Sequence, residues 1–191
     1  MQKILGIVAS PRGRGNTEQL MERVLTAAQD AGAETKLFTV AGKTIKPCVA
    51  CDACSRGKVE FCVQKDDMLD LYPLMKWADA IVFGSPVYMG TMTSQLKAIF
   101  DRARSLWRQP GGLLQKAAAA VVVGEGRWGR QEFAVQTIWW AAANHGMIIF
   151  EPDADVCAVA NEPSDVQRDE RALAAADLLG HRLATTNLTV D

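Results

Sequence analysis

The chain predicts a three-layer α/β fold, a five-stranded parallel sheet in the order 2-1-3-4-5 with helices on both faces. Three observations carry this. The strand candidates are unbroken apolar runs, as at residues 4–9 and 117–123, the mark of strands buried on both faces. They alternate with segments of helical periodicity, which calls for crossovers between parallel strands. Finally, 191 residues hold five such units but no second half with a sixth strand, and suffice for one domain with a real core. The expected domain is 1–191, with a cysteine-rich insertion at about 47–65.

Each element has its own signal. Residues 4–9 form the first strand, and residues 10–16 (SPRGRGN) a turn-rich loop. Leu20, Met21, Val24, Leu25 and Ala28 then recur at helical spacing; Asn16 or Thr17 is the expected cap and Gly32 the stop. Residues 37–40 form a second strand. After the cysteine segment, Asp66 or Asp67 caps a helix carrying Met68, Leu71, Leu74, Met75 and Trp77. Residues 80–85 are the third strand, and Thr93 or Ser94 caps a helix with Leu96, Ile99, Phe100 and Ala103 on one face. Residues 117–123 are the fourth strand, 131–144 a helix and 146–150 the fifth strand. Ser164 is the expected cap of a last helix reaching about residue 183. Right-handed crossovers place the loops after strands one, three and four on one edge, where ligands bind in such sheets.

Composition narrows the function. Hydrophobic residues make up 49% and charged residues 23%, as in ordinary globular proteins, and the formal net charge is -1. That balance gives no case for nucleic acid or an anionic membrane. Local basic clusters (Arg12 and Arg14; Arg102, Arg104 and Arg108; Arg127 and Arg130) suit small anions instead. No apolar run reaches the ~18 residues of a membrane span, and the N-terminus lacks the layout of a signal peptide. A cytoplasmic location is expected, where the five cysteines read as ligands or free thiols. Only two histidines are present, which leaves a Ser-His-Asp hydrolase hard to build.

Two motifs carry chemistry. The first loop, Ser10 to Thr17, joins a strand to a helix; Gly13 and Gly15 let the backbone approach a ligand, and the helix start favours a phosphate. It is neither GxGxxG nor a Walker loop. The loop from Ser85 to Gly90 can present backbone and Tyr88 to a flat ring, and residues 124–130 add Trp128, which suits ring stacking or a subunit contact equally. The second motif is Cys48, Cys51, Cys54 and Cys62, spaced C-x2-C-x2-C-x7-C. The tight run fits a four-iron four-sulfur cluster, as in ferredoxins; zinc and thiols without metal are the alternatives. Cys157 reads as a small buried hydrophobe. Helix capping accounts for Asp66 and Asp67, and Asp101 with Arg102, Arg104 and Arg108 reads as a solvated or subunit-facing patch in preference to a nucleotide-phosphate site.

The loop SPRGRGNT, the stretch PCVACDACSRGKVEFCVQKDDM, the SPVYMG loop and the LKAIFDR helix after it together resemble the NAD(P)H-dependent FMN reductase group of flavodoxin-like proteins, in particular the iron–sulfur flavoproteins. The resemblance covers about residues 3–150. It implies FMN, with the phosphate at Ser10, Arg12, Asn16 and Thr17 beside Gly13 and Gly15. The ring would lie against Pro86, Val87, Tyr88, Met89 and Gly90, with Gly124, Glu125 and Gly126 nearby. It further implies a homodimer or homotetramer. The expected function is an FMN-dependent oxidoreductase passing electrons from NAD(P)H or ferredoxin to a small acceptor, through a 4Fe-4S cluster on the four cysteines. No side chain is assigned as a catalytic acid or base. The alternatives are a non-enzymatic flavodoxin-type carrier, which the near-zero net charge disfavours, an FMN or quinone reductase whose cysteines bind no cluster, and a metal-stabilised module without flavin.

Overall fold

The structure is a computed structural model that describes all residues except 108, 127, 128 and 189–191. The expectations for Arg108, Arg127 and Trp128 therefore lie outside the described residues.

Strand β1 (Lys3–Val8) pairs on one side with β2 (Glu34–Thr39) and on the other with β3 (Ala80–Pro86), which pairs with β4 (Ala117–Gly124). All pairings are parallel and the order is 2-1-3-4-5, as predicted. The fifth position differs in detail from the single strand expected. Strand β5 (Ile148–Ile149) pairs with Ala117 and Ala118, and β6 (Val156–Val159) with Val121 to Gly124. Residues 150–155 pass opposite only Ala119 and Ala120, so the chain bulges out there. Glu151 turns it with a left-handed φ of 35°, and a 3-10 turn follows at Pro152–Ala154.

The break would orphan a backbone donor of β4. Instead, the Ala120 N–H donates to Asp155 Oδ1, while Trp139 Nε1–H donates to Asp155 Oδ2 at 2.7 Å. A carboxylate thus replaces the missing strand carbonyl. Burial pushes the Asp155 carboxyl up to about 7, against the pull of these two donors.

Helices α1 (Asn16–Asp30) and α5 (Glu170–Thr185) cover one face of the sheet. Their apolar sides meet Ile4, Val8, Val82, Val121 and Val156. The two helices touch so closely that a Cβ on Gly180 would lie 2.2 Å from the Val24 carbonyl oxygen. Helices α2 (Met68–Trp77), α3 (Ser94–Ala103) and α4 (Gln131–Asn144) cover the other face, over Leu5, Ile7, Ile81, Phe83 and Val122.

The helix starts correct several expectations. Gly15, not Asn16 or Thr17, is the N-cap of α1, and no side chain caps it. Asn16 is drawn away to donate to the Glu162 carbonyl at 2.9 Å and to accept from the Val166 N–H. Thr93 does cap α3, accepting from the Leu96 N–H. Asp67 precedes α2 without a side-chain cap bond; its carboxylate accepts instead from the Thr44 N–H at 2.7 Å. Helix α5 begins later than predicted: Ser164 has a φ of 66° ahead of a 3-10 turn at Asp165–Arg168, and Asp169 is the cap. Among the described residues, no helix is long and apolar enough to cross a membrane.

Candidate functional site

The loops after β1 and β3 are stitched together at the carboxyl ends of the strands. The Ala9 N–H donates to the Gly84 carbonyl, and Thr93 Oγ1–H donates to the Ala9 carbonyl at 2.9 Å. The Val87 N–H bonds the Val123 carbonyl at 2.8 Å, bringing the end of β4 alongside. Between them opens a crevice of about 350 Å³, within the range of sites for small organic ligands.

Ser10, Arg12, Gly13, Gly15, Asn16, Thr17, Pro86, Val87, Tyr88 and Glu125 all line this crevice. One end is the N-terminus of α1, whose first backbone N–H groups have no intrahelical partner and favour an anion. Arg12 and Arg14 are exposed beside it. Ser10 Oγ is engaged within the loop, donating to the Arg12 carbonyl and accepting the Arg12 N–H, both at 3.2 Å. The opposite wall carries Pro86, Val87 and the half-exposed Tyr88. Tyr88 and Thr91 exchange backbone bonds of 2.9 and 3.2 Å around Met89 and Gly90, whose φ values are 49° and 83°. That is a tight primed hairpin turn, in which glycine suits the second place and Met89 is strained. Met89, Gly90, Gly124 and Gly126 do not line the crevice, and the Met89 side chain points to solvent at 98% exposure.

Also lining the crevice are Arg14, read from the sequence only as part of a basic cluster, and four residues outside the candidates, Val123, Ala160, Asn161 and Pro163. The last three follow β6, where the Ala160 N–H bonds the Gly124 carbonyl at 2.9 Å and Asn16 holds residues 162–166 against the first loop. The turn-rich run Asn161-Glu162-Pro163-Ser164 is the signal that marks this fourth loop.

The four cysteines of the 47–65 segment lie around a second, smaller hollow, together with Phe61, Asp101, Arg102 and Arg104. No helix or strand carries them. Cys51 sits between Ala50 and Asp52, at φ of 50° and 57°, a left-handed conformation unfavourable to residues with a Cβ. Such strain concentrates at functional loops. Among the described residues, no group of three or more His, Cys, Asp or Glu is gathered as metal binding requires.

Residues 2–158 match the family described as NADPH-dependent FMN reductase. The chain belongs to that family. It is therefore an oxidoreductase of the FMN-dependent kind, on a flavodoxin-like fold. It is 38% identical over 188 residues to an iron–sulfur flavoprotein of Methanocaldococcus jannaschii, covering 95% of each chain. It is also 38% identical over 163 residues to an iron–sulfur flavoprotein of Methanosarcina thermophila, covering 85% of this chain and 84% of that one. The NAD(P)H:quinone oxidoreductase from Methanothermobacter marburgensis superposes with a TM-score of 0.69 at 13% identity, over 97% of this chain and 98% of that one. The flavodoxin, WrbA-like protein from Agrobacterium tumefaciens gives 0.67 at 21% identity, over 96% of both. These two likenesses speak to the fold alone.

Side chains hold the reductase's thiol segment in place. Arg102, expected in a solvated patch, is fully buried and pairs with Asp66 at 2.5 Å. Burial pushes the Asp66 carboxyl up, but the Arg102 guanidinium and the Lys46 and Met68 N–H groups outweigh it and hold the carboxyl below its usual value. Asp66 is thus a buried ion-pair partner first; its contact with the Met68 N–H at 3.3 Å is the residue of the expected cap. Arg102 Nη1 also donates to the Lys46 carbonyl, Arg104 pairs with Asp52 at 2.8 Å, and Phe61 stacks on Tyr72 with centroids 4.8 Å apart. Asp101 pairs with Lys97. Cys157, expected in the core, lies on the exposed side of β6, because that strand is at the sheet edge and only its alternate residues are covered. His145 meets the Phe100 carbonyl at 2.9 Å, and burial lowers its pKa, consistent with a local structural role.

Proposed function

We propose that this reductase binds FMN in the crevice at the strand ends and passes electrons from NAD(P)H or ferredoxin to a small acceptor, using an iron–sulfur cluster held by Cys48, Cys51, Cys54 and Cys62. The observation that carries the reading is the convergence of the loops after β1, β3 and β4 on one open crevice that begins at a helix N-terminus. In this reading the phosphate sits at the start of α1, met by backbone N–H groups and by Ser10, Arg12 and Thr17, with Asn16 contributing its N–H while its side chain braces the wall. The ring rests against Pro86, Val87 and Tyr88, with Met89 and Gly90 forming the turn that fixes Tyr88 and with Glu125, between Gly124 and Gly126, at the far side. FMN supplies hydride and single-electron exchange, and a cluster supplies single-electron exchange. The chain's own part is to bind, to orient the ring and to cover one side of it with the apolar Pro86–Val87 wall.

The donor set fits the cluster reading. Four thiols surround one hollow. A single zinc ion draws its thiolates to about 2.3 Å from one point, whereas a cubane takes one thiolate at each of its irons and leaves the sulfurs farther apart. The names of the relatives, iron–sulfur flavoproteins, support the same reading. We read the chain as one domain over 1–191, acting in the cytoplasm as a homodimer or homotetramer; exposed Trp107, Phe133 and Trp140 support a subunit contact.

One experiment tests the whole. Protein purified without oxygen is expected to show flavin absorbance with a broad brown shoulder, to contain iron and sulfide, and to oxidise NAD(P)H over many turnovers. Flavin and turnover without iron or sulfide would leave the reductase and remove the cluster. Redox exchange with a partner protein but no turnover would make the chain a carrier.

A further inference from the structure

We infer that Arg102 is the counter-charge of the four-thiol site, with its Nε–H and Nη2–H donating to the sulfur atoms of the iron–sulfur group that the cysteines hold. The inference rests on the cluster reading above. Arg102 Nη1 is occupied by Asp66 and the Lys46 carbonyl. Nε and Nη2 are buried and make no hydrogen bond of good geometry, although the Tyr72 hydroxyl lies close to the guanidinium. The side chain is fully buried and lines the same hollow as Cys48, Cys51, Cys54 and Cys62.

A guanidinium presents its N–H groups in one rigid plane and cannot lose its charge in a protein. With Asp66 fixing one edge, the remaining donors have a set direction. Buried donors in native proteins are ordinarily satisfied, and the hollow beside Arg102 is walled by thiol sulfurs. Thiolates and inorganic sulfide are anionic acceptors, so a bound cluster supplies the missing partners. Hydrogen bonds to the sulfurs and local positive charge favour the reduced, more negative cluster and raise its potential. A purely structural reading gives Arg102 only the task of anchoring residues 44–66 through Asp66.

The two readings separate in one experiment. Wild type, Arg102→Lys, Arg102→Gln and the double variant Asp66→Asn/Arg102→Gln are loaded with iron and sulfide without oxygen. Iron, sulfide and FMN contents are measured, folding is checked by thermal unfolding, and the cluster is titrated by spectroelectrochemistry. The double variant removes both charges and strands neither, so it stays folded where the single glutamine variant fails. We expect the loaded double variant to hold its electron at least tenfold less tightly, a fall of 59 mV for a one-electron couple, with the flavin potential unmoved and Arg102→Lys in between. A loaded double variant with the wild-type potential overturns the inference. So does a folded double variant that takes up no iron, because donors to sulfur tune the group and do not ligate it. Wild type that takes up neither iron nor sulfide overturns the cluster reading itself, and this inference with it.

Discussion

The crevice at the strand ends and the hollow at the cysteines are built by opposite means. The crevice is walled by loops that leave rigid parallel strands, tied to one another by backbone bonds such as Ala9 N–H to Gly84 and Val87 N–H to Val123. Its exposed side chains, such as Arg12 and Tyr88, can change without disturbing the sheet. The hollow is walled by an irregular segment that owes its position to side chains from α2 and α3, chiefly the buried Asp66–Arg102 pair and the Phe61–Tyr72 stack. In the first region binding and stability are separable; in the second they are coupled. The lesson is that a crevice on strand ends tolerates variation that a hollow on an anchored loop does not.

The most severe break of that contrast should come from Arg102→Ala. It strands the buried Asp66 carboxylate and should cost about 3–5 kcal/mol in urea unfolding; a loss below about 1 kcal/mol would mean that the thiol segment does not depend on its side-chain anchor.

Asp155 probes a place where the crevice side borrows a side chain, beneath the strand that leads into Ala160 and Asn161. Its folded pKa, about 7, lies above the ordinary 3.8. The folded state therefore holds the proton more tightly, and this group's contribution is full below pH 4. It falls as the pH rises from about 4 to about 7, then levels off. Asp155→Asn, which offers one acceptor to two donors, should cost about 1–3 kcal/mol and flatten that slope. Urea unfolding at pH 5 and pH 8 measures both effects.

Arg12→Ala should separate binding from folding. With one exposed charge removed from the end of the crevice proposed to hold the phosphate, the FMN dissociation constant should rise about tenfold, or about 1.4 kcal/mol, while stability stays within about 0.5 kcal/mol. Flavin fluorescence titration beside urea unfolding reads the two together. Arg104→Ala should do least. Its pair with Asp52 is exposed on both sides, so the loss should stay under about 1 kcal/mol, and a larger loss would extend the anchor of the thiol segment to its rim.

The same division explains what could be read from the sequence. Buried strands announce themselves locally, so residues 4–9, 80–85 and 117–123 and the strand order followed from apolar runs and crossover handedness. The loop Ser10 to Thr17 was legible because a strand, two glycines and a helix start adjoin in the chain. Strand β6 was not: Val156–Val159 is four residues long and rejoins β4 after a bulge, at which the Asp155 side chain supplies the acceptor the break removes. The Asp66–Arg102 pair spans 36 residues, and no local pattern distinguishes a buried arginine from its exposed neighbour Arg104. Asn16 shows the same limit, since its place at the helix start suggested a cap whereas residues 162–166, far along the chain, claim its side chain.

The interruption at the fifth position has a consequence for how the molecule meets its own copies. An open parallel sheet ends in rows of unpaired amides that can recruit a strand from a neighbour. Here the outer border offers only two residues, then a bulge, then four, too short and too offset a template for a growing fibril. The opposite border, β2, carries Glu34 and Lys36, so charge discourages there what discontinuity prevents on the other side.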